Sequence, residues 1–317
     1  MKKLLALALA ASLLLPVAAT SATRISVGTG STGGVYYFVG TALTKILNQH
    51  LPGVNATPEP VTGSAHAHKL VHTGDLTIAL AEVATVYHGH RGSRKDFDKK
   101  YENIRFVMAG MDTGQTAVVW ADSPIKSYAD IKGKRIATNS PASRAKLGPA
   151  MELHGVKEAD VHHKTLNYSE QVSAMKDGSL DVGFFAAAPR NASVMDLAAA
   201  RSIRILGLDP DKAKEFGKAY PHWMPLTLKA GTYAGQDKDV MMPAFYTALI
   251  ANKDADPGLV YTIVKTIIDR GDEFGQLHAG GKEFTVEKTR FFVEREMVPV
   301  PFHPGAERYW REKGIIK

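Results

Sequence analysis

Apolar positions along the chain follow two periods that take turns. Arg24-Ile-Ser-Val27 alternates like a strand, and Val35, Phe38, Val39, Ala42, Leu43, Ile46 and Leu47 then recur like one face of a helix. Leu51-Pro-Gly53 stops that helix. The pattern predicts strands over 54–61, 76–80, 104–109, 116–120, 134–138, 181–185 and 203–208. It predicts helices over 64–72, 82–87, 143–154, 169–176, 191–199 and 256–270, a capped turn over 127–133, and a last helix after His303-Pro-Gly305. Val240 to Ala251 is a further apolar run. This alternation argues for an α/β fold of mostly parallel sheets covered by helices.

Two internal correspondences go further. His72-Thr-Gly-Asp-Leu-Thr-Ile-Ala-Leu80 matches Lys176-Asp-Gly-Ser-Leu-Asp-Val-Gly-Phe184 in plan: a helix ends on Gly, Leu follows two residues later, and a strand begins. Arg24-Ile-Ser-Val27 before its glycine loop likewise parallels Arg135-Ile-Ala-Thr138 before Asn139-Ser-Pro-Ala-Ser143. Two lobes of similar build follow, each offering a loop at the carboxyl ends of its strands, where open α/β sheets bind ligands. The expected limits are 23–122 for lobe I, 123–229 for lobe II, and 230–317 for the return to lobe I, with a ligand cleft between the lobes.

The stretch Gly28-Thr-Gly-Ser-Thr-Gly-Gly-Val-Tyr-Tyr37 sits between the first strand and the first helix. Free N–H groups at a helix N-terminus attract anions, and Ser31 or Thr32 can cap the helix or offer a hydroxyl. Gly30, Ser31, Thr32, Gly33 and Gly34 therefore read as a seat for a carboxylate, or as a tight turn with no ligand. The phosphate-loop pattern is absent, since Gly34 is followed by Val35, and no acid stands at the ribose distance of a dinucleotide fingerprint.

Met1-Lys-Lys, the apolar run Leu4 to Leu15 and the small residues up to Ala22 read as a signal peptide over 1–22, which places the mature protein in the periplasm. The chain has 317 residues and no cysteine, so it has no disulfide, thiol nucleophile or lipidated cysteine. About 295 mature residues must then hold together by core burial alone. The net charge is +7; Lys2 and Lys3 are the only charges before Ala22, so the mature chain carries +5. The basic segment Arg91 to Lys100 is interrupted by Asp96 and Asp98, so it reads as a solvated loop, not a nucleic-acid surface.

The glycine stretch, the Thr62-Gly63-Ser64 helix start, Ala230-Gly-Thr-Tyr-Ala-Gly-Gln-Asp-Lys-Asp-Val240 and the ending His303-Pro-Gly-Ala306 before Tyr309 occur in that order. In this ordered set the chain resembles the TAXI family, the TRAP-associated extracytoplasmic immunogenic solute-binding proteins, over essentially the whole mature sequence. The resemblance implies a periplasmic binding protein fold of the second type. It also implies a receptor, acting as a monomer, that captures a small organic acid, glutamate-like or a dicarboxylate or 2-oxo acid, for a TRAP membrane permease. Thr62, Gly63 and Ser64 would contact the solute from lobe I, and Ser140, Ser143 and Arg144 from lobe II.

Two departures from the family pattern bear on the ligand. The chain has Asn139-Ser-Pro-Ala-Ser-Arg-Ala145 where the family often has a glycine-rich Gly-x-Pro-Gly-Ser-Gly-Thr, and Ala186-Ala-Ala-Pro-Arg190 where it often has a glycine. Arg144 and Arg190 are thus candidate carboxylate clamps, since a guanidinium binds a carboxylate bidentately; each fits equally well as a solvated residue at a helix start.

Glu82, which follows the apolar strand 76–80 at the expected cleft edge, can meet an ammonium group or simply favour a helix's first turn. Tyr36 is a candidate pocket wall beside Tyr37, one of the two being expected in the core. The 12 histidines include the pairs His66/His68, His88/His90 and His162/His163, but no zinc spacing, so no metal or other cofactor is expected. No Gly-x-Ser-x-Gly elbow or His-Glu-x-x-His motif occurs, which argues against a hydrolase. The remaining alternative is a binding protein serving a sensor kinase or another importer.

Overall fold

The computed structural model describes residues 22–317 apart from 31, 33–34, 95–96, 140, 188–190, 221–222 and 224; side chains of 141, 142, 145, 186 and 187 are also left undescribed. All but the last residue of the expected signal peptide lie outside the described residues.

Three strand–helix pairs open the fold: Thr23–Gly28 (β1) and Val35–His50 (α1), Val54–Glu59 (β2) and Ser64–Thr73 (α2), Ile78–Glu82 (β3) and Val83–Arg91 (α3). The strands run parallel in the order β2-β1-β3. Their carboxyl ends therefore share one edge, and α1, α2 and α3 all start there. The helical period predicted for α1 holds: Val39, Leu43, Ile46 and Leu47 are buried in one core with Ile25 and Val27 of β1. Gly63, just before α2, has φ 145°, and Gly74, just after it, has φ 85°, a region that favours glycine.

Ile104–Trp120 (β4) is one strand of 17 residues, not the two that the apolar pattern predicts. Gly110 and Gly114 lie in the stretch between the two predicted strands, and their smallness has a packing cause. A Cβ on Gly110 would stand 2.6 Å from the Phe284 ring, and one on Gly114 would stand 2.4 Å from Met242 Cε. The glycines admit side chains packed on a continuous strand.

The second half contains Arg135–Thr138 (β5), Pro141–Leu153 (α4), His162–Thr165 (β6), Tyr168–Lys176 (α5), Val182–Ala187 (β7), Ala192–Ala200 (α6), Ile203–Leu206 (β8), Pro210–Ala219 (α7) and Pro225–Leu228 (β9). The turn predicted over 127–133 is a short 3-10 turn at Tyr128–Ile131, where Ser127 N–H donates to Asp130 Oδ2 at 2.9 Å. The apolar run near 240 is a strand, Val240–Asn252 (β10), which returns antiparallel between β3 and β4. Pro257–Asp269 (α8), Gly271–Leu277 (α9), Val286–Glu294 (α10) and Pro304–Glu312 (α11) follow.

One sheet results, ordered β2-β1-β3-β10-β4-β7-β5-β6, with β8 also on β4 and β9 on β10. Pairing is parallel at both ends, β2-β1-β3 and β7-β5-β6, and antiparallel around β4 and β10 in the middle. Burial divides the molecule into two lobes. Two clusters, one on each face, join β1 and β3 with α1, α2, α8 and α11; two others join β5 and β7 with α4, α5, α6 and α7. Among the described residues, β4 and β10 are the strands that serve both lobes: Met111 lies in a lobe I core and Ala117 in a lobe II core, while Tyr246 and Met242 divide likewise.

Candidate functional site

Side chains two apart on a strand share a face. Along β4 one face therefore reads Met111, Thr113, Gln115, Ala117: apolar core, two polar residues, apolar core. On β10 the facing positions are Phe245, paired with Thr113, and Thr247, paired with Glu82 of β3. This polar interval lies between the lobe I core under α1 and the lobe II core under α4. Burial here is close to complete: Thr113 is 4% exposed, Gln115 2%, Glu82 4% and Thr247 0%.

Glu82 stands at the centre. Its N–H donates to Ser64 Oγ at 3.0 Å, which ties the carboxyl end of β3 to the first residue of α2. Its Oε2 meets Lys146 Nζ at 3.2 Å, and Lys146 comes from α4 in the opposite lobe. The same ammonium lies 3.6 Å from the centre of the Phe245 ring, a cation–π contact. Thr247 donates to the Tyr36 hydroxyl at 2.7 Å. Burial first, then the Glu82 carboxylate, push the Tyr36 phenol up, opposed by the Thr247 bond, so Tyr36 stays a neutral hydroxyl.

Several buried polar atoms of this interval have no hydrogen-bond partner among the described residues: Glu82 Oε1, Thr113 Oγ1, and both amide atoms of Gln115. Leaving such groups unpaired is costly, about 1–3 kcal/mol each, so the interval is suited to a ligand that supplies what the protein does not. Behind it, on the other face of β4, Lys288 Nζ meets Asp112 Oδ2 at 2.5 Å. Burial pushes the Asp112 carboxyl up and Lys288 opposes it.

Of the residues read from the sequence, Tyr36, Ser64 and Glu82 are brought together here. Gly30 is buried beside Tyr36; a Cβ on it would stand 2.9 Å from Tyr36 Cβ. Thr32 is exposed, and exposed Thr62 pairs with His66 through its hydroxyl at 3.1 Å. Gly63 supplies the backbone that opens α2. Ser143 is buried and donates to Asn139 Oδ1. Arg144 does not join the group: it pairs with Glu158, both side chains about half exposed. Two helical residues on, about 200° around the axis, Lys146 takes the inward direction. Ser31, Gly33, Gly34, Ser140 and Arg190 lie outside the described residues.

Lys146, Thr113, Gln115, Phe245 and Thr247 were not singled out from the sequence. Lys146 had one usable signal, its place three residues after Ser143 on the same side of a helix. Elsewhere, a groove of about 420 Å³ runs along α5 beside the edge strand β6, lined by Lys164, Asn167, Glu170, Ser173 and Asp177 among others. All of its residues belong to one lobe, and the buried unpaired groups are not in it. Among the described residues no group of His, Asp or Glu is arranged to hold a metal ion, and no helix is long and apolar enough to cross a membrane.

Solved structures with this architecture include periplasmic and extracellular solute-binding proteins. The aliphatic sulphonate binding protein SsuA of Escherichia coli is 14% identical, with a TM-score of 0.50 over 91% of this chain and 78% of that one. A TctC solute binding protein from Polaromonas is 14% identical, with a TM-score of 0.52 over 92% and 97%. The probable amino-acid ABC transporter extracellular-binding protein ytmK of Bacillus subtilis is 14% identical, with a TM-score of 0.50 over 83% and 97%. At such identities these likenesses establish the two-lobed binding-protein fold. A family model covers far more than half of the sequence, residues 27–314, and on that match the chain belongs to the NMT1-like family.

Proposed function

We propose that this protein is a periplasmic receptor that captures a small carboxylate solute between its lobes and delivers it, chemically unchanged, to a membrane permease of the TRAP type. The observation that carries the reading is the buried Glu82 carboxylate, bridged to Lys146 of the opposite lobe at 3.2 Å, with Oε1 unpaired among the described residues. A solute carboxylate suits Lys146, and a solute ammonium suits Glu82 Oε1. An amino acid such as glutamate supplies both groups, whereas a 2-oxo acid leaves Glu82 without a donor. The glycine-rich stretch ahead of α1, read from the sequence as an anion seat, would serve the same carboxylate. The TAXI resemblance supplies the permease class, and the signal peptide over 1–22 the route of export.

Isothermal titration of the purified protein with L-glutamate and 2-oxoglutarate tests this. L-Glutamate is expected to bind one to one at micromolar or tighter affinity, about −8 kcal/mol, with 2-oxoglutarate at least tenfold weaker. Glu82→Gln should erase the difference. Tighter binding of the 2-oxo acid, or discrimination unchanged by Glu82→Gln, would contradict the proposal.

A further inference from the structure

Gln115 is the most buried unpaired side chain of the interval, and nothing in the reading above uses it. It is 2% exposed, on the strand that joins the lobes, with both Oε1 and Nε2 unpartnered among the described residues. Thr113, about 7 Å along the same face, adds an unpartnered Oγ1. Thr113 pairs with Phe245, the ring on which Lys146 rests, so the two polar residues lead away from the charged end of the site.

We propose that Gln115, supported by Thr113, forms a distal subsite that receives an uncharged hydrogen-bonding tail of the solute, a carboxamide or hydroxyl, in preference to a second carboxylate. The inference rests on the head-group reading above. Its chemical basis is the matching of donors and acceptors. A side-chain amide offers one acceptor and two donors, so a ligand carboxamide pairs with both ends of Gln115 at once. A ligand carboxylate accepts from Nε2 and from the Thr113 hydroxyl but faces Gln115 Oε1 with no proton to give. A desolvated second carboxylate also needs a cation. Among the described residues, Lys146 is already engaged with Glu82 at the head of the site, and Lys288 serves Asp112 on the opposite face of β4.

The arrangement also explains why an unpaired amide persists in a core position. Buried polar groups without partners weaken the unliganded fold, and such trade-offs mark sites where binding needs the group.

The test is titration of the full mature protein and its Gln115→Met variant with L-glutamine and L-glutamate, beside thermal melts without ligand. Methionine has similar length and leaves no polar atom to satisfy, so the variant should fold and melt at or above the wild-type temperature. The wild-type protein is expected to bind L-glutamine at least tenfold more tightly than L-glutamate, and Gln115→Met to weaken L-glutamine at least tenfold. L-Glutamate binding as tightly as L-glutamine, or L-glutamine affinity within twofold in Gln115→Met, overturns the inference and leaves the head-group reading standing. No binding of either amino acid overturns both.

Discussion

Replacing Lys146 with methionine removes the cation that reaches across the cleft while keeping a side chain of similar length. Glu82 is then a buried carboxylate whose only described ionic partner is gone. Breaking a buried pair from one side costs about 3–5 kcal/mol. Lys146 keeps 20% of its side chain exposed, so the lower end applies, and loss of the Phe245 contact is already within that figure. A loss of about 3 kcal/mol corresponds to roughly a 150-fold shift at 1.4 kcal/mol per tenfold. The assay is a double-mutant cycle in urea unfolding, with Lys146→Met, Glu82→Gln and the double variant. The double variant should recover part of the single-variant loss, giving a coupling of at least about 1 kcal/mol. Small-angle scattering of Lys146→Met should show a more open molecule than the wild type. Strict additivity within about 0.3 kcal/mol, with no change in scattering, would refute the claim that this pair ties the lobes together.

Two further predictions rest on the fold around the site. Burial, with help from His90, His72 and Arg94, lowers the His68 imidazole to about 3. Unfolded histidine titrates near 6.5, so below that pH the unfolded chain takes up a proton that the fold refuses. Stability should therefore hold above pH 6.5 and fall toward pH 3 by up to about 1.4 kcal/mol per unit; His68→Leu should flatten this slope in urea titrations, and an unchanged slope would assign it elsewhere. At the start of α11, a Cβ on Gly305 would stand 2.1 Å from Pro257 O and 2.8 Å from Tyr261 N, both backbone atoms that cannot swing aside. Gly305→Ala should cost about 2 kcal/mol or more, and a melting temperature equal to the wild type would show that α8 and α11 can separate freely.

Much of this fold is visible in the sequence because its elements are locally marked. Leu51-Pro-Gly53 ends α1 as read, and Asn167 and Asn191 hold the starts of α5 and α6 with side-chain caps. The middle of the sheet is less visible. β10 is buried on both faces, so it shows an apolar run with no alternation, and β4 carries glycines for packing where glycines more often signal a turn. The site divides along the same line. Glu82 is conspicuous as an acid that ends an apolar strand, and Tyr36 follows a glycine loop. Arg144 and Lys146 are both basic residues of one helix, and only tertiary packing decides that Lys146 turns inward while Arg144 meets Glu158. Thr113 and Gln115 acquire meaning only when β4 is known to be continuous, since their shared face follows from the pleat.

The position of the bound solute decides whether the lobes grip it as proposed. A crystal structure of the protein purified from its exporting host, with whatever solute co-purifies, measures that directly. The prediction is a solute enclosed between the lobes, within hydrogen-bonding distance of Glu82 Oε1 and Lys146 Nζ, with its far end over Thr113 and Gln115. A solute seated instead in the groove between α5 and β6, with the Glu82–Lys146 bridge intact and dry, would contradict it.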